Sequence, residues 1–162
     1  MGENINKLRV GWFTFTCCED STIIFTELFN THYQSWMKKI DFVHAKVLKS
    51  QNKLTDMDVA FVEGAITSDV QEEKLKKIRN LCKKLIAIGS CACTGSPSTQ
   101  RNTFPDSVKE EIKPYLDRFM YGDRVKKLDE CVTVDDRVHG CPMTEAQFLQ
   151  VLNKYLKEFG VS

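Results

Sequence analysis

Leu85-Ile86-Ala87-Ile88-Gly89-Ser90-Cys91-Ala92-Cys93-Thr94-Gly95 sets four apolar residues against a glycine turn and two thiols. A run this short and this apolar reads as a strand buried on both faces, as in a parallel sheet covered by helices. It delivers the chain directly to Gly89 and Cys91. The pattern recurs upstream. Lys7–Phe15 (KLRVGWFTF), rich in aromatic and β-branched residues, reads as a first strand that ends at the pair Cys17-Cys18. Met57–Val62 (MDVAFV) reads as another and runs into Glu63-Gly64, while Asp41–Leu48 (DFVHAKVL) is a further strand candidate.

Between these runs the apolar residues fall at helical spacing. Ser21–Lys39 carries Ile24, Phe25, Leu28, Phe29 and Trp36, with Asp20 or Ser21 able to cap its start. Asp69–Lys84 places Val70, Leu75, Ile78 and Leu81 opposite Lys and Glu. Pro105–Phe119 suggests a helix with Pro105 at its first position and an internal Pro114 expected to kink or interrupt it. Glu130–Val134 reads as a short extended piece. Thr144–Phe159 reads as a terminal helix, with Thr144 as cap and a stripe of Phe148, Val151, Leu152, Tyr155 and Leu156. Strands alternating with helices predict an α/β fold with a mostly parallel sheet covered on both faces. In such sheets the functional crevice lies beyond the carboxyl ends of the strands. Cys17, Cys18, Glu63 and Cys91 all fall there.

The 162 residues fit one domain over 1–162, long enough to bury a core. A net charge of +1 gives no electrostatic reason to expect nucleic acid or an anionic membrane as partner. Met1–Lys7 is polar, without the apolar stretch of a secretory signal, and the longest apolar runs are too short to span a bilayer. Seven cysteines without a signal point to a reducing compartment, where clustered thiols bind metal more often than they pair. The expectation is a soluble cytoplasmic protein with no direct membrane insertion.

Thiolates gathered at loop tips from three distant segments are what an iron–sulfur cluster needs, since several cysteine sulfurs hold its irons. Cys18, Cys91 and Cys141 (in Gly140-Cys141-Pro142) are the ligand candidates, and Cys17 is the leading fourth, with Cys93 as the other candidate. Adjacent Cys17 and Cys18 require a tight turn to serve one cluster. The helix start that follows would offer unpaired N–H groups and positive dipole to an anionic cluster. Cys82, inside the helix pattern, and Cys131 read as ordinary buried or surface thiols. Glu63 could hydrogen-bond loop backbone near the site or lie on the surface. His139 could donate to cluster sulfur or face solvent. His32 and His44 read as structural.

Taken together, the Cys pair after the first strand, Val62-Glu63-Gly64, Gly89-Ser90-Cys91 and Gly140-Cys141-Pro142 resemble the small subunits of NiFe hydrogenases and the related 20 kDa subunit of NADH:quinone oxidoreductase. The resemblance covers nearly the whole chain. It implies a flavodoxin-like three-layer domain binding one 4Fe-4S cluster, the one nearest the partner's active site, with Cys18, Cys91 and Cys141 matching ligand positions. Hydrogenase small subunits usually show Cys-x-x-Cys where this chain has Phe15 at the first position. The tandem Cys17-Cys18 looks like the quinone-oxidoreductase branch, where both bind the cluster. No second set of four cysteines remains, so one cluster per chain is expected.

The short form is similar to small subunits of soluble cytoplasmic hydrogenases. The resemblance therefore implies an electron-transfer subunit, not active alone. Its partners would be a large NiFe-hydrogenase-like catalytic subunit and a further flavin or iron–sulfur electron-transfer subunit. The alternatives are the equivalent subunit of a nickel-free, complex-I-like oxidoreductase, and a zinc-stabilised non-redox binding module. Structural zinc usually shows paired short Cys/His spacings, and only Cys91-x-Cys93 comes near one.

Overall fold

Strands β1 (Leu8–Thr14), β2 (Ile40–Ala45), β3 (Met57–Glu63), β4 (Cys82–Ile88) and β5 (Asp136–Val138) pair in the order β2-β1-β3-β4-β5, every pair parallel. The structure, a computed structural model, describes residues 6–161. Helices α1 (Asp20–Lys39), α2 (Asp69–Leu81), α3 (Gly89–Thr94), α4 (Asp106–Arg118) and α5 (Glu145–Glu158) complete the regular elements. The chain leaves β1 towards β2 on one side and returns to place β3 on the other. The strand order therefore reverses at β1/β3, the topological switch of a flavodoxin-like sheet.

Alternation along the strands builds a core on each face. Val10 and Trp12, Val59 and Phe61, and Ile86 and Ile88 point to the face covered by α1 and α5. Phe13, Ala60, Val62, Leu85 and Ala87 point to the face covered by α2 through Leu75 and Ile78. Three layers result. The first face is aromatic: Trp12 stacks on Phe25 at 4.2 Å between centroids, and the Phe148 ring stands edge-on to Trp12 and 5.2 Å from Phe61. The parallel register runs unbroken from β3 to β4, with Val59 opposite Lys84 and Glu63 opposite Ile88. Between β1 and β2 it shifts at Val10/Gly11. Gly11 is required there, since a Cβ would sit 2.5 Å from the Phe13 ring and 2.6 Å from the Met57 sulfur.

Several element ends differ from the sequence expectation. Helix α2 stops at Leu81, not Lys84, because Cys82 takes an extended conformation and pairs with Met57. Strand β4 is thus longer than Leu85–Ile88, and Cys82 is a strand residue. The expected extended piece at Glu130–Val134 is instead a 3-10 turn at Leu128–Glu130, with β5 following at Asp136–Val138. Pro114 does not interrupt α4, which has no buried residue and leaves the backbone carbonyl freed by the proline on an exposed flank. Pro105 precedes the first helical residue. Neither Asp20, Ser21 nor Thr144 supplies a side-chain cap; α1 begins instead from Glu19 in the left-handed region. Among the described residues no helix is long and apolar enough to cross a membrane.

Two consequences can be measured. Phe148→Ala empties the centre of the aromatic face and should cost about 3–5 kcal/mol in denaturant unfolding. Glu72 accepts from Lys126 at 2.6 Å and Lys76 at 2.7 Å, tying α2 to the segment after α4. Those hydrogen bonds, Lys126 first, lower its pKa from 4.5 to about 2. The folded-state value is depressed, so the stabilisation is present above pH 4.5 and disappears as pH falls through about 2. The melting-temperature gap between wild type and Glu72→Gln should therefore close over that window. A gap that persists below it would contradict the assignment.

Candidate metal centre

Beyond the carboxyl edge of the sheet, three loops lock together. After β1, Phe15 N–H donates to the Glu63 carbonyl (2.8 Å), and Thr16 exchanges two backbone hydrogen bonds with Ala65 (3.1 and 2.9 Å). Cys17 and Cys18 follow, and Glu19, with φ 65°, turns the chain into α1. The chain bends at Cys17 itself, the turn that adjacent cysteines need in order to share a site. After β4, Gly89 (φ +76°) lies so close to α1 that a Cβ would stand 2.9 Å from Ser21 Oγ. Cys91 is carried in the first turn of α3. After β5, the Gly140 carbonyl accepts from the Ser90 N–H (2.8 Å) and Ser90 Oγ (3.1 Å), and the Met143 N–H donates to Ser21 Oγ (3.1 Å). At Gly140 (φ +121°) a Cβ would collide with the Pro142 carbonyl.

Cys17, Cys18, Cys91 and Cys141 line one cleft at this junction, with Glu63, Ser21 and Gly89. Cys91 is buried, Cys17 half-buried, and Cys18 and Cys141 exposed. Glu63, 3% exposed, is the buried carboxylate of the site. It accepts from the Ser21 N–H (3.1 Å) and from Thr22 Oγ1 (2.6 Å), and Trp12 Nε1 donates to Thr22 Oγ1 (2.9 Å). Burial raises the Glu63 pKa despite these hydrogen bonds. Glu63 therefore hydrogen-bonds backbone beside the cysteines, as one of the two sequence readings held.

The thiols stand in a field hostile to their own charge. Burial first, then the Glu63 charge, push Cys17 up to about 12, with Cys91 and Cys18 adding to the shift. Cys91 is raised by burial and then by Cys18 and Cys141. Thiolates crowded this way need positive charge among them, which metal binding supplies as it displaces their protons. The donor set, four soft sulfurs from three loops, suits iron–sulfur ligation. Among the described residues no three His, Cys, Asp or Glu side chains converge as they would on a single ion. The ligands of a multi-iron cluster each face a different iron and stand further apart.

The other candidates fall outside the cleft. Cys93 is buried, its Sγ directed at the Ala87 carbonyl (3.5 Å) and the Val138 carbonyl (3.6 Å). His139 is exposed; its N–H donates to Gln147 Oε1 (2.8 Å) and its carbonyl accepts from Thr144. Cys82 lies beside Arg79, and Cys131 is half-buried after the 3-10 turn. His32 stacks on Trp36 and His44 on Phe13. Ser21, Thr22 and Ser90 hold the loops in place, a role the sequence did not assign to them. Hydroxyl residues in a first helical turn look like capping residues until the strand-end partners are known.

A parallel 2-1-3-4-5 sheet with four thiols gathered past its carboxyl edge defines a flavodoxin-like domain with a cysteine cleft. Residues 17–155 match the family described as NADH ubiquinone oxidoreductase, 20 Kd subunit, and the chain belongs to that family. It is 27% identical over 167 residues to a subunit of the F420-non-reducing hydrogenase of Methanothermobacter marburgensis, across 93% of this chain and 54% of that protein. It is 30% identical over 109 residues to the iron-sulfur subunit of the F420-non-reducing hydrogenase of Archaeoglobus profundus, across 53% and 34%. The chain thus spans about half, or less, of the length of these relatives. A chain of an NAD+-reducing [NiFe]-hydrogenase crystal structure superposes with a TM-score of 0.82, covering 94% of this chain and 93% of that one at 20% identity. That similarity shows the fold.

Removing the carboxylate tests its structural part in the site. Glu63→Ala leaves the Ser21 N–H and Thr22 hydroxyl without their acceptor and should cost about 1–3 kcal/mol in urea unfolding. Glu63→Gln, which keeps one acceptor oxygen, should cost less. Loss of under about 0.5 kcal/mol in the alanine variant, the range of an ordinary surface change, would contradict the role.

Proposed function

We propose that residues 1–162 form a single flavodoxin-like domain that holds one 4Fe-4S cluster through Cys17, Cys18, Cys91 and Cys141. On this reading the chain is the electron-transfer small subunit of a cytoplasmic NiFe-hydrogenase-like complex. Its large partner subunit carries the nickel–iron site, and a further flavin or iron–sulfur subunit exchanges electrons with it. The observation that carries the proposal is the convergence of four thiols, from loops after β1, β4 and β5, on one cleft. The hydrogenase names of the relatives support the branch.

When bound, the cluster supplies one-electron transfer. The chain's own residues do the positioning. Glu63 fixes the first turn of α1 through the Ser21 N–H and the Thr22 hydroxyl, and so sets where Cys17 and Cys18 stand. Ser21 and Ser90 hold the Gly140–Met143 turn, which presents Cys141. Ile88 and Pro142 line the cleft as apolar walls and limit water around the sulfurs.

A second reading, the equivalent subunit of a nickel-free, complex-I-like oxidoreductase, draws on the tandem Cys17-Cys18 and the description of the matching family. Metal content of the anaerobically purified protein with its copurifying subunits separates the two. Nickel together with iron beyond about four atoms per chain supports the hydrogenase complex; iron without nickel moves the assignment to the second reading; zinc without iron overturns both. Cys18→Ala, Cys91→Ala and Cys141→Ala should each abolish the broad visible absorption of the cluster, whereas Cys82→Ala and Cys93→Ala should keep it. Full iron and absorbance in Cys141→Ala would refute the ligand set.

A further inference from the structure

A second cavity of about 340 Å³ opens at the carboxyl ends of β1 and β2. Thr14, Thr22, His44, Lys46 and Lys74 stand in its walls, with Trp12 and Phe13 at the sheet side and Glu19 as the carboxylate among them. None of the four cysteines of the metal centre lines it. Its size is in the range of small-molecule sites, which combine an apolar body with a few placed polar groups.

Three features of these walls call for an anion. Neither Lys46 nor Lys74 has a carboxylate within ion-pair distance among the described residues, although twelve ion pairs form elsewhere. Lys74 rests over the Phe15 ring, 5.6 Å from its centroid, and burial together with the nearby Lys46 charge lowers its pKa. Two like charges are thus held near one another, with Glu19 in the same wall but beyond ion-pair distance of either. His44 is 9% exposed, stacked 4.4 Å from Phe13, and its Nδ1 is buried with no hydrogen-bond partner. A buried ring nitrogen left this way lacks the compensation that polar groups ordinarily find on folding. The Thr14 hydroxyl, 3.5 Å from Thr22 Oγ1, adds a further donor, the Thr22 proton being held by Glu63.

We infer that this cavity binds a small phosphorylated molecule, its phosphate held by Lys46, Lys74, His44 and the Thr14 hydroxyl. Donors reaching inward from β1, the end of β2 and α2 suit a group with three strong acceptor oxygens and close to two negative charges. They exceed what one planar carboxylate can satisfy. Lysine binds phosphate as a point charge and needs no fixed fork geometry. Glu19, at the left-handed turn before α1, can accept from a hydroxyl or amine on the rest of the ligand. The inference does not depend on what the cysteine cleft holds.

The test uses the full chain and inorganic pyrophosphate at fixed ionic strength, followed by calorimetry and by tryptophan fluorescence, since Trp12 lies in the wall. Saturable one-to-one binding with a dissociation constant below about 1 mM is expected. Lys46→Ala and Lys74→Ala should each weaken it at least about tenfold, a factor equivalent to 1.4 kcal/mol, while Lys109→Ala on α4 should leave it unchanged. Lys46 and Lys74 are both exposed, so neither variant removes a core side chain and both report on binding. Absence of saturation, or equal weakening by Lys109→Ala, would overturn the site. Citrate binding as tightly as pyrophosphate would overturn the phosphate assignment.

Discussion

A single carboxylate at the end of β3 ties the sheet to the helix that carries the first two cysteines. Glu63 is buried and would ordinarily be expelled to solvent. It stays because the Ser21 N–H and the Thr22 hydroxyl reach it from α1, and Trp12 braces the same hydroxyl from β1. Ser21 then uses its side chain to accept the Met143 N–H, 122 residues further along the chain. One short stretch of α1 thereby joins β3, β1 and the turn that presents Cys141. The cleft has its shape because these polar groups satisfy one another in a place where none could be left alone.

The same economy governs charge. A pocket of thiols next to a buried carboxylate favours neutral sulfur, and the rise of Cys17 to about 12 expresses it. Positive charge placed among the sulfurs would reverse that preference at once. One arrangement thus governs packing and charge together: the apolar walls that bury the thiols raise the cost of ionising them unless positive charge stands among them. On the β2 side of the sheet end the sign is opposite, with lysines gathered beside an unpartnered imidazole. The reversal of strand order at β1 thus separates two regions of contrasting potential.

Much of this was legible in the chain itself, for reasons that can be located. Leu85–Ile88 and Met57–Val62 have no polar residue to place outside except Asp58, so a doubly covered strand was the economical reading. The glycine turn expected directly after Leu85–Ile88 stands at Gly89, which takes a positive φ. The rest depended on partners remote in sequence. Cys82 falls four residues after Ile78 and continues a helical stripe; only pairing with Met57 makes it a strand residue. Asp136–Val138 is three residues long and largely polar, and exists as a strand because β4 offers it an edge. The orphan nitrogen of His44 arises from stacking on Phe13 across two strands, which local periodicity does not encode.

The Met143–Ser21 hydrogen bond also orders events in time. During synthesis the segment bearing Cys17 and Cys18 leaves the ribosome more than a hundred residues ahead of the segment bearing Cys141. Among the described residues strand β5 pairs only with β4, over three residues, so its place in the sheet requires β4. Until the later segment is made, one side of the early cysteines' pocket is missing. A nascent chain therefore carries Cys17 and Cys18 before the turn that presents Cys141 exists, and the cleft is complete only once translation has passed Met143.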